Sequence, residues 1–205
     1  MNNSINNELT GIILAGGKGI RLGLNKGMAN LMGRPMIEYV IENLEAVCDH
    51  ILISSNTSQC AAYGYDIIAD IYEGKGPMAG IHACLKASTT EHNIVISVDT
   101  PFAGPDFIRY MINNKAEGLA AAPWFGMDHY EPLCAYYNKQ IVVHMEAFFR
   151  NGNFKLPDLF LRIPFTPLLM PEKATFNHPM LFHNINTKAD LRLAETYLER
   201  KNERS

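Results

Sequence analysis

The sequence predicts an α/β fold built on a single doubly wound, mostly parallel sheet, and three observations predict it. Short apolar runs alternate with segments of helical periodicity along most of the chain. The apolar runs are buried in pattern on both sides, as strands of a covered parallel sheet are. Several helical segments open on a proline, the residue favoured in a first helical turn. In such sheets ligands bind beyond the carboxyl ends of the strands, so the loops after the strands are where chemistry is sought.

Leu9 to Leu14 reads as the first strand because its apolar run stops at a glycine loop. Pro35 opens a helix whose Met36, Ile37, Val40, Ile41, Leu44 and Val47 share one face. "HILISSN" (50–56) and the shorter "YDIIAD" (65–70) are the next strands. "GPMAGIHACLKAS" (76–88) is a helix with Pro77 just inside it, and "NIVISVD" (93–99) is another buried strand that Asp99 closes. "GPDFIRYMINN" (104–114) is a third helix. The alternation continues with strands in "GLAAAPWF" (118–125) and "PLCAYYN" (132–138), and a helix carrying Ile141, Val142, Met145 and Phe148. Prolines space out residues 157–179, which yield no clear element. "FHNINTKADLRLAETYLERK" predicts a strand, a turn and a last helix, with Thr187 and Asp190 at capping-box spacing.

The chain has 205 residues, enough for one α/β domain or two small ones and for a sizeable core. Residues 1–8, rich in asparagine, are expected to fray, leaving one domain over 9–205. Eighteen basic and 21 acidic side chains leave a net charge of −3, which provides no general field for nucleic acid or an anionic membrane. The cysteines at 48, 60, 84 and 134 form no C-x-x-C pair, so they read as buried thiols of a reducing compartment rather than a zinc site. The opening "MNNSINNELT" lacks the pattern of a signal peptide, and no apolar run reaches membrane-spanning length. A soluble, cytoplasmic protein is the expectation.

The segment after the first strand, "AGGKGIRLGLNKGMANLMGRP", is rich in glycine, carries two lysines and two arginines, and holds no acid. It is not a P-loop, because Lys26 lies between Asn25 and Gly27. It is not the G-x-G-x-x-G fingerprint either, because Leu22 stands where the third glycine belongs. What remains is Leu14-Ala15-Gly16-Gly17, then Arg21, Gly23 and Lys26. Glycines let backbone N–H groups approach a phosphate closely. Arg21 and Lys26 would neutralise a departing polyphosphate, one as a planar fork and one as a point charge. Asp99, at the end of a buried strand and stiffened by Pro101, is placed to hold Mg2+ against phosphate oxygens.

"LAGGKGIRLGLNKGMANLMGRPMIEYV" resembles the LAGG-x-x-x-R-M-G-x-x-K signature of the molybdenum-cofactor guanylyltransferase (MobA-like) nucleotidyltransferases. "IIADIYEGKGPMAGI" (67–81), "VDTPF" (98–102) and "NINTKADL" (184–191) match the same family in order, so the resemblance spans residues 9 to 200. It implies a Rossmann-like nucleotidyltransferase fold and transfer of GMP from GTP to molybdopterin with release of pyrophosphate. The substrates would be GTP and the molybdopterin cofactor, with Mg2+ on Asp99. Other cofactor-biosynthesis or molybdoenzyme-maturation proteins would be further partners.

By the same resemblance Leu14, Ala15, Gly16, Gly17, Lys26, Asp70 and Asp99 contact the nucleotide, and Arg21, Lys26 and Asp99 serve catalysis. Relatives carry an asparagine where this chain has Ser54, with Asn56 two residues on, so either could make that contact. Asn184 and Asn186 reach the metal or the second substrate, or one of them shapes the turn before the last helix. Trp124, Phe125, His129 and Tyr130 could stack on a pterin but read as core packing, and His82 reads as a helix side chain. Two alternatives stay open: a nucleotidyltransferase using CTP or a sugar phosphate, and a nucleotide-binding regulatory domain without catalysis. Relatives that transfer cytidylyl groups read LAAG where this chain reads LAGG, which favours GTP, and Gly16 leaves room for a purine.

Overall fold

Leu9–Leu14 forms strand β1, and every residue of it is buried. Alternate side chains leave a strand on opposite faces. Leu9 and Ile13 therefore join the apolar layer on one side of the sheet, and Ile12 and Leu14 the layer on the other. The structure, a computed structural model, describes residues 8–16, 29–127 and 129–203. The expected fraying tail, apart from Glu8, lies outside the described residues, and so do Gly17, Arg21 and Lys26.

The chain continues through a two-stranded ribbon, β2 (Asn30–Leu31) and β3 (Arg34–Pro35), into helix α1 (Met36–Glu45). There follow β4 (His50–Ser54), a 3-10 turn (Ser58–Tyr63), β5 (Asp66–Ile68), α2 (Pro77–Ala87), β6 (His92–Ser97) and α3 (Pro105–Asn114). β7 (Ala120–Trp124), β8 (Cys134–Asn138), α4 (Val142–Arg150), α5 (Leu156–Phe160), β9 (Phe165–Leu169) and α6 (Lys188–Asn202) complete it. The seven-stranded sheet has the order β5-β4-β1-β6-β8-β7-β9. Its neighbours are parallel except at β8, which runs against both β6 and β7. The sheet is mostly parallel, as the sequence predicts.

Helices α1 and α3 cover one face and α2, α4 and α5 the other. α1 buries a stripe of Met36, Ile37, Val40, Ile41 and Leu44. α2 is buried continuously from Met78 to Leu85, so it packs as a core helix rather than a one-sided one. At the amino ends of the strands, Thr10 Oγ1 and Thr90 Oγ1 share a 2.7 Å hydrogen bond, and Ser88 Oγ donates to Thr10 Oγ1 at 3.2 Å. Those buried hydroxyls are satisfied among themselves. The opposite, carboxyl end of the sheet is the open one.

Three sequence expectations change. β6 ends at Ser97, so Asp99 sits in the following turn rather than closing the strand. Residues 182–186 form no strand, because their donors are engaged elsewhere: Ile185 N–H donates to Asp99 O at 2.9 Å and Asn186 N–H to Asp190 Oδ2 at 3.0 Å. The proline-spaced region contains α5 and an edge strand, β9, whose Pro167 pairs at a sheet margin where a missing N–H is tolerated. The last helix opens on the predicted capping box, Thr187 Oγ1 accepting from Asp190 N–H and Asp190 Oδ2 from Thr187 N–H. No helix among the described residues is long and apolar enough to cross a membrane.

Candidate active site

β4 and β5 lie to one side of β1 and β6 to the other. That reversal of strand order opens a crevice of about 630 Å³ beyond the carboxyl ends of the strands. Leu14, Ala15 and Gly16 enter it from β1, Ser54 and Asn56 from β4, and Asp70 from beyond β5. Gly76 caps α2 and Gly80 lies within it, and Asp99 comes from beyond β6. The strand exits are fixed by bonds that prolong the sheet: Ala15 N–H donates to Ser54 O at 3.0 Å and Val98 N–H to Leu14 O at 3.2 Å.

Asp99 is only 8% exposed. Ser97 Oγ donates to its Oδ1 at 2.5 Å. The turn beneath it is closed by Thr100, whose N–H and Oγ1 both donate to Ser97 O, at 3.0 and 2.8 Å. Asn43 Nδ2 donates to Pro101 O at 3.0 Å and pins the far side. The Ile185 bond to the Asp99 carbonyl carries Asn184 and Asn186 to the same corner, with Asn184 exposed and Asn186 half-buried. Among the described residues no group of three or more His, Cys, Asp or Glu could hold a metal ion. A single anchored carboxylate suits Mg2+, which takes most of its ligands from phosphate and water.

The other end of the crevice is organised by Asn56 and Asp70, which grip each other. Asn56 Nδ2 donates to Asp70 Oδ2 at 3.1 Å, and Asp70 N–H donates to Asn56 Oδ1 at 2.8 Å. Asp70 Oδ1 lies toward the floor, where Gly80 approaches closely. A Cβ on Gly80 would stand 2.5 Å from Ser54 Oγ and 3.3 Å from Asp70 Oδ1. Gly76, which caps α2 at φ +80°, occupies backbone space that only glycine adopts readily. The cysteines nearby are inert: burial pushes Cys84 up to about 12 against a pull from Ser54, and Cys134 likewise to about 12.

A second cavity, of about 540 Å³, opens beside the first. Phe125, His129 and Glu131, between β7 and β8, form one wall; His178, Phe182 and His183 form the other. Phe125 is 47% exposed, with the Phe182 ring 5.5 Å away and nearly perpendicular. Burial raises the Glu131 carboxyl above its ordinary value, His129 opposes the rise and Asp99 adds to it. Trp124 and Tyr130 pack instead: Trp124 Nε1 donates to Met127 O at 2.8 Å, and Tyr130 sits edge-on to Phe160 and Phe165. His82 is fully buried beside Tyr72 and Phe149, the helix side chain that the sequence suggests.

A MobA-like NTP transferase domain matches residues 11–160. The chain belongs to that family. As a MobA-like NTP transferase it is a nucleotidyltransferase enzyme. Over 199 residues it is 30% identical to a protein of Natranaerobius thermophilus named "probable molybdenum cofactor guanylyltransferase", covering 93% of this chain and 97% of that one. It is 28% identical over 194 residues to the "molybdenum cofactor guanylyltransferase" of Desulfosudis oleivorans, covering 93% and 96%. The crystal structure of molybdopterin-guanine dinucleotide biosynthesis protein A from Archaeoglobus fulgidus superposes with a TM-score of 0.79 at 28% identity, covering 93% and 99%.

In this MobA-like transferase Leu14, Ala15, Gly16, Ser54, Asn56, Asp70 and Asp99 meet in one crevice. Gly17, Arg21 and Lys26 fall outside the described residues. Asn184 and Asn186 flank Ile185, whose N–H donates to the Asp99 carbonyl, but they are not among the residues that line the crevice. Phe125 and His129 border a cavity rather than the core, and Glu131 was not singled out by its pattern at all. The only local signal was a polar run, "DHYEP", between two apolar strands.

Proposed function

We propose that the chain transfers GMP from GTP to the phosphate of molybdopterin, forming the guanine dinucleotide form of the cofactor and releasing pyrophosphate. The observation that carries this reading is the convergence of the β1 exit, the Asn56–Asp70 pair and the anchored Asp99 carboxylate in one crevice. The names borne by the relatives support the choice of substrates. Among the described residues, a Cβ added at Gly16 would meet Ser54 O alone, at 3.9 Å, which leaves room there for a ligand. That supports a purine.

An oxygen of the acceptor phosphate forms a new bond to the α-phosphorus of GTP. The bond from that phosphorus to the oxygen bridging toward the β-phosphate breaks, and its electron pair leaves with pyrophosphate. The attacking group is already an anion, so positioning and charge compensation are what the protein contributes. Asp70, oriented by Asn56, contacts the nucleoside end. Arg21 and Lys26 take up the charge of the departing pyrophosphate. Asp99 would hold Mg2+, which would offset charge on the phosphate oxygens. Further partners from cofactor maturation and a cytoplasmic location belong to the same reading, the latter supported by four free cysteines.

The test is pyrophosphate release from GTP, molybdopterin and Mg2+, with a thermal-shift panel of GTP, CTP, ATP and UTP. GTP should stabilise the protein most, since stabilisation follows affinity. Asp99→Ala should lower turnover by about 10²-fold or more, the cost of losing a charge-compensating group. Preferential stabilisation by CTP, or a near-normal rate in Asp99→Ala, overturns the proposal.

A further inference from the structure

The second cavity is lined by other residues than the crevice, yet its Glu131 lies within electrostatic reach of Asp99. The segment between β7 and β8 passes between the two cavities: Leu133 lines the crevice, and Glu131, two residues earlier, lines the second cavity. On the opposite wall, His183 is two residues before Ile185, whose N–H is bonded to the Asp99 carbonyl. β8 is reversed, so its amino end, and not its carboxyl end, emerges beside Asp99. A molecule in the second cavity therefore lies near the Asp99 end of the crevice.

The lining has a definite chemistry. Phe125 offers a half-exposed aromatic face, with the Phe182 and His129 rings within 5.5 and 5.3 Å of it. A flat heteroaromatic ring stacks on such a surface. Glu131 supplies a carboxylate that accepts two adjacent N–H donors side by side. His178 Nδ1 and His183 Nε2 are buried at the wall without a hydrogen-bond partner among the described residues; the nearest approach to His183 Nε2 is Asp190 Oδ1, at 3.7 Å. Orphaned buried polar atoms are costly and call for a partner. A ring presenting adjacent donors to Glu131 and heteroatoms to the histidines satisfies all of them. The 2-amino-4-oxopyrimidine ring has that edge: an N–H and an amino group next to each other, with a carbonyl beyond.

We propose that this cavity binds the pterin of the acceptor, with Glu131 accepting from its N–H and amino donors and Phe125 stacking on the ring. The assignment rests on the transferase reading above. Guanine shares the same edge, so donor and acceptor must be separated experimentally. Initial rates of pyrophosphate release are measured against molybdopterin and, separately, against GTP, for wild type, Glu131→Gln and Phe125→Ala, with melting temperatures alongside. Binding of free pterin is followed in parallel through its own fluorescence.

The expected result is an acceptor KM raised about tenfold or more in both variants, the scale of a lost polar anchor in a buried site, and a parallel loss of pterin binding. The GTP KM and the melting temperature stay as in wild type. Unchanged acceptor KM and pterin binding in both variants overturn the proposal while leaving the transferase reading intact. A raised GTP KM with an unchanged acceptor KM also overturns it, by giving the cavity to guanine. If wild-type protein releases no pyrophosphate with molybdopterin, the transferase reading falls and this assignment falls with it.

Discussion

Gly80 couples the fold to the crevice, and the coupling can be weighed. Replacing it by alanine gives α2 a better helix former, a gain of about 1 kcal/mol. The new Cβ, however, stands 2.5 Å from Ser54 Oγ, closer than real atoms pack. Ser54 Oγ must rotate, surrendering its contact with the buried Cys84 thiol, and overpacking of this kind costs roughly 1–3 kcal/mol. Gly80→Ala alone should therefore destabilise the protein, by about 1 kcal/mol net. Removing the offending oxygen first changes the sign. With Ser54→Ala, the nearest neighbours of the Gly80 Cβ become Asp70 Oδ1 at 3.3 Å and the residue 54 Cβ at 3.6 Å. In that background Gly80→Ala should stabilise by about 0.5–1 kcal/mol, a coupling of about 2 kcal/mol between neighbours. Urea unfolding of the four proteins measures it directly. Single-variant effects that add to within about 0.5 kcal/mol would refute the reasoning.

Two further outcomes follow from named contacts. Asn56→Ala removes both hydrogen bonds that orient Asp70, so the GTP KM should rise about tenfold with kcat little changed, as initial-rate titrations would show. At α6, burial pushes the Asp190 carboxyl up, but bonds from the Thr187 hydroxyl and from the Asn186 and Thr187 N–H groups, with His183 nearby, hold it below its ordinary 3.8. A depressed carboxylate stabilises fully above its unfolded value and loses that contribution as pH falls through the folded one. Asp190→Asn should therefore lower the melting temperature at pH 7, and the deficit should shrink as the pH is taken from about 4 downward.

Most of the sheet was legible because its strands are buried on both faces and its helices announce themselves with prolines. Leu9–Leu14 and His92–Ser97 needed only their apolar runs to be placed. The direction of β8 was not legible, since "CAYYN" reads the same whichever way it pairs. β9 was hidden by Pro167, which forbids a central strand but suits an edge. The segment 182–186 misled in the other direction: its alternation resembles a strand, but Asp99 and Asp190 consume its backbone bonds. In the crevice, Asp99 lies just past a strand end and was recoverable from that rule, whereas Leu14, the last residue of β1, came with the glycine loop and Asp70 only with the family resemblance. Mutual support between Asn56 and Asp70 was not recoverable, because fourteen positions separate them. The second cavity was missed for a related reason. Its two walls, around residues 125–131 and 177–183, come together only in three dimensions.

The reversed strand has a bearing on how such a protein diversifies. Apart from Leu133, the residues that line the donor crevice precede α3, and those assigned to the pterin follow it. A recombination within α3 would thus trade one recruited acceptor for another and leave the nucleotide chemistry untouched, with Asp99 as the hinge on which both inheritances turn.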